Sequence, residues 1–285
     1  MALLTCKGCG VIKEEEKFQP VAPGSNYRRR ECYSCLSKKR WAKEKVSRAG
    51  RGNWLMFGCV HIPFEHPDCF RFLEALQVRY EFKRVFMMGD LYDWTGLNRF
   101  SKNPNLPSPV DEYKATIGRR DELYKLFPNV EMLYGNHDLR PLSRAAEHYI
   151  PELLIKSLRE VMGLPDGWVS CGMQLVAEHA SLGDVVLIHG DKVNRDALVN
   201  ARQIGKHLVM ADRHTMCKVA WSQDFMGRKV FGMNVGALVD AEREAFAYSK
   251  GRVMRPMISV GAIIDNNPVN LVMNLDGEGR WTGDL

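Results

Sequence analysis

From residue 54 onward, short apolar runs alternate with longer stretches of helical periodicity, and this alternation sets the expected architecture. The runs Trp54–Phe57, Arg84–Met88, Val130–Tyr134, Val185–Ile188 and Leu208–Met210 read as strands, and the stretches Pro67–Tyr80, Asp111–Phe127, Pro151–Met162 and Asp196–Lys206 read as helices. Strands that alternate with helices predict an α/β domain. Toward the end, Arg228–Asn234, Met257–Asp265 and Val269–Asn274 read as antiparallel strands. There is no internal repeat and no low-complexity tract.

Before residue 54 the pattern is different. The first 45 residues hold few aliphatic side chains and two Cys-x-x-Cys pairs, so this segment needs a staple in place of a core. Leu36–Lys45 reads as a basic helix. The expected organisation is a module over residues 1–46, a linker over 47–53 and a main domain over 54–285. The spacing Cys6-x₂-Cys9-x₂₂-Cys32-x₂-Cys35 is that of a closed, structural four-cysteine zinc site. Cys59, Cys69, Cys171 and Cys217 are scattered without pairing logic, which suits a reducing compartment better than disulfides.

Charge sharpens the division. Of the net charge of +6, residues 1–52 account for +8 and the remainder for −2. Arg28, Arg29, Arg30, Lys38, Lys39 and Arg40 concentrate the excess, interleaved with Tyr27, Tyr33 and Trp41, and this points to nucleic acid as the partner. The competing reading is a solvated basic face. No apolar run approaches the roughly 18 residues that cross a bilayer, and the start is too short for a signal peptide, so no membrane association is expected and the reading is cytoplasmic. Oligomeric state stays open.

Polar clusters follow nearly every expected strand. They are Cys59 with His61, then Asp90 with Asp93, Asn136-His137-Asp138, His189 with Asp191, and Asp212 with His214. In open α/β sheets ligands bind beyond the carboxyl ends of strands. Any one cluster alone would be an ordinary turn, because Gly, Asn and Asp favour loops; five in register point to one site. His66, His148, His179 and His207 match no motif and are expected to pack, as are Cys69, Cys171 and Cys217.

The order of these motifs resembles the calcineurin-like metallophosphoesterases over about residues 54–215. Gly89-Asp90-x-x-Asp93 and Gly135-Asn136-His137-Asp138 match that family's pattern in full. The resemblance implies a four-layer αββα sandwich. It also implies two divalent metals, with Mn, Fe or Zn expected. One would be held by Cys59, His61, Asp90 and His214, the other by Asp90, Asn136, His189 and Asp212. Asp90 would bridge, and a hydroxide between the metals would attack phosphorus. His137 would serve the leaving group, oriented by Asp138. Asp93 would fix a ligand, and Arg140 could reach a substrate phosphate or form an ordinary ion pair.

Two positions depart from the family pattern. Its first Asp is Cys59 here, as in RNA lariat debranching enzymes, and its Gly-His-x-His is Ala211-Asp212-Arg213-His214. A thiolate favours softer metals, and Asp212 hardens the other position. Cys59 as a packing residue is the competing reading. Gly232–Leu238 resembles the C-terminal part of phosphoesterases common in phage genomes. The cysteine module is similar to those preceding phage HNH nucleases, without the HNH part. Together these imply a phage-type phosphodiesterase or nuclease, in the host cytoplasm if phage-encoded. Two alternatives remain: a phosphomonoesterase or small-nucleotide hydrolase, and a degenerate, non-catalytic nucleic-acid-binding protein.

Overall fold

In the computed structural model the chain separates into two compact units, Met1–Lys45 and Val46–Leu285. The structure describes residues 3–6, 12–20, 28–32, 47–50, 52–98, 106–240, 242 and 255–285.

In the first unit, β1 (Leu3–Thr5) pairs antiparallel with β2 (Ile12–Glu14), and β3 (Phe18–Pro20) pairs antiparallel with β4 (Arg28–Cys32). Cys6 is buried against Phe18 and Leu4. Cys9 and Cys35, Lys38, Lys39 and Arg40, and the expected basic helix lie outside the described residues, whereas Arg28, Arg29 and Arg30 lie along β4.

The second unit is an α/β sandwich of four layers. Its first sheet has the order β16-β15-β6-β7-β8-β9. Here β6 (Trp54–Phe57), β7 (Arg84–Met88), β8 (Val130–Leu133) and β9 (Trp168–Ser170) are parallel. Antiparallel to them, β15 (Ser259–Ile264) joins β6 to β16 (Asn267–Val272). The second sheet has the order β13-β14-β12-β11-β10-β5. It comprises β5 (Ser47–Gly50), β10 (Gln174–His179), β11 (Gly183–Ile188), β12 (His207–Met210), β13 (Cys217–Gln223) and β14 (Lys229–Val235), with β11, β12 and β14 parallel. Ser47–Gly50, read as linker in the sequence, thus runs as an edge strand on β10.

Alternation along each strand builds the layers. Successive side chains point to opposite faces. Trp54 and Met56 of β6, and Phe86 and Met88 of β7, pack into the core shared with Val185 and Leu187 of β11 and Val209 of β12, between the two sheets. Leu55, Phe57, Val85 and Met87 face the other way. They pack with α1 (Cys69–Tyr80), α2 (Pro109–Leu126) and α4 (Leu158–Met162) through Phe72, Leu73, Leu76, Leu123 and Met162. On the outer face of the second sheet, Val186, Leu208, Met210 and Val230 pack with Ala197 and Ala201 of α5 (Ala197–Ile204).

One helix was over-read. Pro151–Met162 holds a single 3₁₀ turn at Glu152–Leu154 and then the short α4, because Ser157 starts a new helix. Its hydroxyl accepts from Glu160 N while the Glu160 carboxylate accepts from Ser157 N, a reciprocal cap that fixes a fresh N-terminus. Conversely, α3 (Arg140–Glu147), β10 and β13 carry too few consecutive apolar residues to register as runs.

Candidate metal centre

The loops leaving β6, β7, β8, β11 and β12 meet at one edge of the sandwich. Two loops are laced by backbone bonds. Cys59 N donates to Gly89 O at 2.9 Å, His61 N to Asp90 O at 3.0 Å, and Ile62 N to Leu91 O at 2.9 Å. Leu238 N in turn donates to Cys59 O at 3.1 Å, so the Gly232–Leu238 segment braces the first motif. Gly135 passes so close to Asp90 that a Cβ would fall onto Asp90 Oδ1, which is why glycine stands there. Cys59, His61, Asp90 and Asp212 all adopt left-handed backbone, with φ of 51°, 53°, 57° and 59°. Non-glycine residues take that region at a cost, and here the cost falls on four expected ligands.

These constraints aim donor atoms at one another. The ligand atoms of Cys59, His61 and His214 lie within 4.8 Å of one another, as do those of Cys59, Asp90 and His189, and those of His61, Asp90 and His137. His61 Nε2 is 3.2 Å from His214 Nε2 and 3.7 Å from Asp90 Oδ2. His189 Nε2 is 3.2 Å from the same Oδ2, 3.0 Å from Asn136 Oδ1 and 3.7 Å from Asp212 Oδ1. A single Asp90 oxygen therefore stands between the two histidines. Its other oxygen, Oδ1, accepts from His137 N at 2.9 Å.

The donor set suits divalent cations. His61 Nδ1 lies 2.8 Å from Asp93 Oδ1 and His189 Nδ1 lies 2.9 Å from Met88 O, so each neutral ring carries its proton on Nδ1 and presents a lone pair at Nε2. Around His189 Nε2 that lone pair meets three oxygen acceptors, an arrangement that needs a positive charge at its centre. Burial opposes a charge on His189, but Asp90 and then Asp212 outweigh it and raise its pKa to about 9. Burial, with His61 second, pushes His214 down to about 3, and burial, with His137 second, also lowers His61. Both rings are neutral, as ligands must be. Burial raises the Cys59 thiol, helped by Asp90 and Asp212, and a cation beside it would reverse that.

The structure corrects the role expected of Asp138. Its buried carboxylate turns away from the His137 ring and accepts four backbone amides: Asp90 N at 2.8 Å and Gly135 N at 2.9 Å on Oδ2, Leu91 N at 3.0 Å and Tyr92 N at 3.1 Å on Oδ1. Asp138 is thus the staple of the two central loops. His137 is oriented instead by Asp93, whose Oδ1 lies 3.0 Å from His137 Nδ1 while also holding His61. Burial disfavours charge on His137, yet Asp90 and Asp93 prevail and raise its pKa. Arg140 binds Asp93 O at 2.7 Å and lies 2.9 Å from His137 Nε2. Asp191 lines the neighbouring cavity.

Arg213 was missed by the sequence reading. Its guanidinium pairs with Asp212 Oδ2 at 2.9 Å and donates to Gly190 O at 3.2 Å, so it ties Asp212 to the loop that carries His189. The only signal was its place between Asp212 and His214.

No protein-family model matches the chain. No curated protein matches it either. Among solved structures it is similar to Yfce, a phosphoesterase from E. coli, at 16% identity and TM-score 0.41, covering 78% of this chain and 100% of that one. It is also similar to Vps29 from Chaetomium thermophilum, at 14% identity and TM-score 0.44, covering 81% and 93%. A third likeness is to Vacuolar Protein Sorting 29 from Cryptosporidium parvum, at 15% identity and TM-score 0.40, covering 77% and 95%. Likenesses this distant carry no residue's role into this chain. Among the described residues no helix is long and apolar enough to cross a membrane.

Proposed function

We propose that the chain is a metal-dependent phosphodiesterase of the calcineurin-like kind, hydrolysing phosphodiester bonds in nucleic acid. The observation that carries this reading is the convergence of His61 Nε2, His214 Nε2, His189 Nε2, Asn136 Oδ1 and Asp212 Oδ1 around the Asp90 carboxylate. Cys59, His61, Asp90 and His214 would hold one cation, and Asp90, Asn136, His189 and Asp212 a second. Two such cations supply charge that neutralises phosphoryl oxygens and acidifies the attacking water. The net reaction adds water across one P–O bond, leaving a phosphomonoester and an alcohol.

The chain's own residues divide the remaining work. Asp93 holds His61 and His137 in their tautomers from a single oxygen. Once Arg140 has left Nε2, His137, its pKa raised by Asp90 and Asp93, takes up a proton there from solvent and passes it to the leaving oxygen. Arg140 rests on that nitrogen until a phosphoryl oxygen takes over its donor. Nucleic acid is the substrate in this reading because the positive excess lies before residue 53, in a module expected to fold around one zinc.

The test is to incubate purified protein, with Mn²⁺, Zn²⁺, Fe²⁺ or Mg²⁺ added in turn, with bis(p-nitrophenyl) phosphate and with single-stranded, double-stranded and branched DNA and RNA. Release of p-nitrophenol and of shortened strands is expected. A protein that holds no more metal than one zinc, and cleaves nothing, would overturn the proposal in favour of a binding protein.

A further inference from the structure

We propose that the cavity beside Asn136 is a subsite for one unpaired nucleotide joined to the phosphate under attack, so that the enzyme acts on single-stranded nucleic acid. This rests on the phosphodiesterase reading above. The cavity measures about 340 Å³, and its wall includes Asn136, Arg140, Leu97, Leu139, Met173 and Lys192. Asn136 joins it to the metal centre, since its side chain is exposed and its Oδ1 lies 3.0 Å from His189 Nε2. A substituent on a phosphate bound at the centre enters the cavity past Asn136 and Arg140.

Size and lining suggest the occupant. Small-ligand sites span about 300–1,000 Å³, and this cavity is of the size that takes a single base with its sugar. Leu97, Leu139 and Met173 offer an apolar wall to a base face. These three side chains meet the face of a base, while Asn98, Ser143 and Glu147 stand among the polar residues around them. Arg144, also on the wall, is committed to Leu97 O at 2.7 Å, to Asn98 O and to Glu147 at 2.7 Å. Lys192 is exposed and has no ion pair among the described residues, which makes it the cation for the next phosphate along the strand.

The experiment is calorimetric binding of thymidine 3′,5′-bisphosphate to the full-length protein, to Lys192→Ala and to Ser143→Leu. Both substituted side chains are exposed on the cavity wall, so neither change touches the core. Lys192→Ala should weaken binding about tenfold to a hundredfold, the size of one charge-assisted contact. Ser143→Leu should weaken it similarly by filling the cavity, and the parent protein should cleave a single strand faster than the matching duplex. Equal dissociation constants for all three proteins would overturn the subsite, even with bis(p-nitrophenyl) phosphate still hydrolysed. Failure to hydrolyse that ester with any metal, alongside Lys192-dependent binding, would instead remove the phosphodiesterase reading and keep the nucleotide site.

Discussion

Replacing Asp138 by asparagine separates a structural carboxylate from a catalytic one. The wild-type oxygens each accept two backbone amides, Asp90 N and Gly135 N on one, Leu91 N and Tyr92 N on the other. Asparagine keeps the shape but turns one oxygen into an NH₂ group. Two of the four amides then lose their acceptor and face a donor. A buried amide left unsatisfied costs about 1–3 kcal/mol, so the substitution should destabilise the main unit by about 2–6 kcal/mol. Total stabilities are about 5–15 kcal/mol, which makes this a large fraction. For a unit of this size the melting temperature should drop by about 5–20 °C. Far-ultraviolet circular dichroism during heating, with urea unfolding beside it, measures the effect. Asp93→Ala should show the contrasting pattern, a smaller change in melting with metal affinity or turnover reduced about 10-fold to 100-fold, because Asp93 orients His61 and His137. If Asp138→Asn melted within about 1 °C of the parent and still lost turnover, the staple assignment would be refuted and Asp138 would return to the chemistry.

Asp90→Asn should abolish hydrolysis and weaken metal uptake at both positions, because a neutral amide offers no anionic oxygen to stand between two cations; metal content after dialysis is the check, and full occupancy would refute the bridge. Cys59→Asp should move the preferred activating ion from thiophilic metals towards Mn²⁺ or Mg²⁺, and an unchanged metal profile with unchanged stoichiometry would return Cys59 to packing. Without metal, His189 is protonated below about pH 9, and only its neutral form is a ligand. Metal affinity should therefore climb as pH rises from 6 to 9, by about tenfold per unit where this proton alone is displaced, and a flat profile in metal titrations would contradict the assignment. Deleting residues 1–45, the boundary of the first unit, should spare hydrolysis of a small diester and weaken binding to a labelled oligonucleotide with a shallower salt dependence; equal affinities and slopes would leave the basic module without a role in grip.

Much of this site was legible before any coordinates, and the reason is topological. A parallel strand delivers its carboxyl end to a fixed edge of the sheet, so polar residues just after apolar runs must gather there. The clusters that hold Asp90, Asn136, His189, Asp212 and His214 are placed by that rule, as are Cys59 and His61 after β6, while the choice of ligands within them came from the family resemblance. Strands that break their apolar run escaped it, as Gln174–His179 shows, where buried Leu175 and Ala177 alternate with partly exposed Gln174 and Val176. The role of Asp138 was misjudged for a different reason. The role of orienting His137 came with the family resemblance, whereas here the Asp138 carboxylate is taken up by four backbone amides. The ring's real partner, Asp93, arrives from another strand end.

What no pattern of residue types could announce is the backbone itself. Cys59, His61, Asp90 and Asp212 hold left-handed conformations that glycine adopts freely, at about 1–3 kcal/mol each for other residues. Glycine at any of the four would relieve the strain and remove the donor atom with it. The strain is sustained by bonds within and between the loops, from Cys59 N to Gly89 O, from His61 N to Asp90 O and from His214 N to Asp212 O. Strain and chemistry therefore select for opposite residues at the same positions. Glu81, Trp94, Tyr149, Asp265 and Asn266 hold the same left-handed backbone outside this set, so strain alone does not mark a donor; what sets Cys59, His61, Asp90 and Asp212 apart is that their side chains converge on one place.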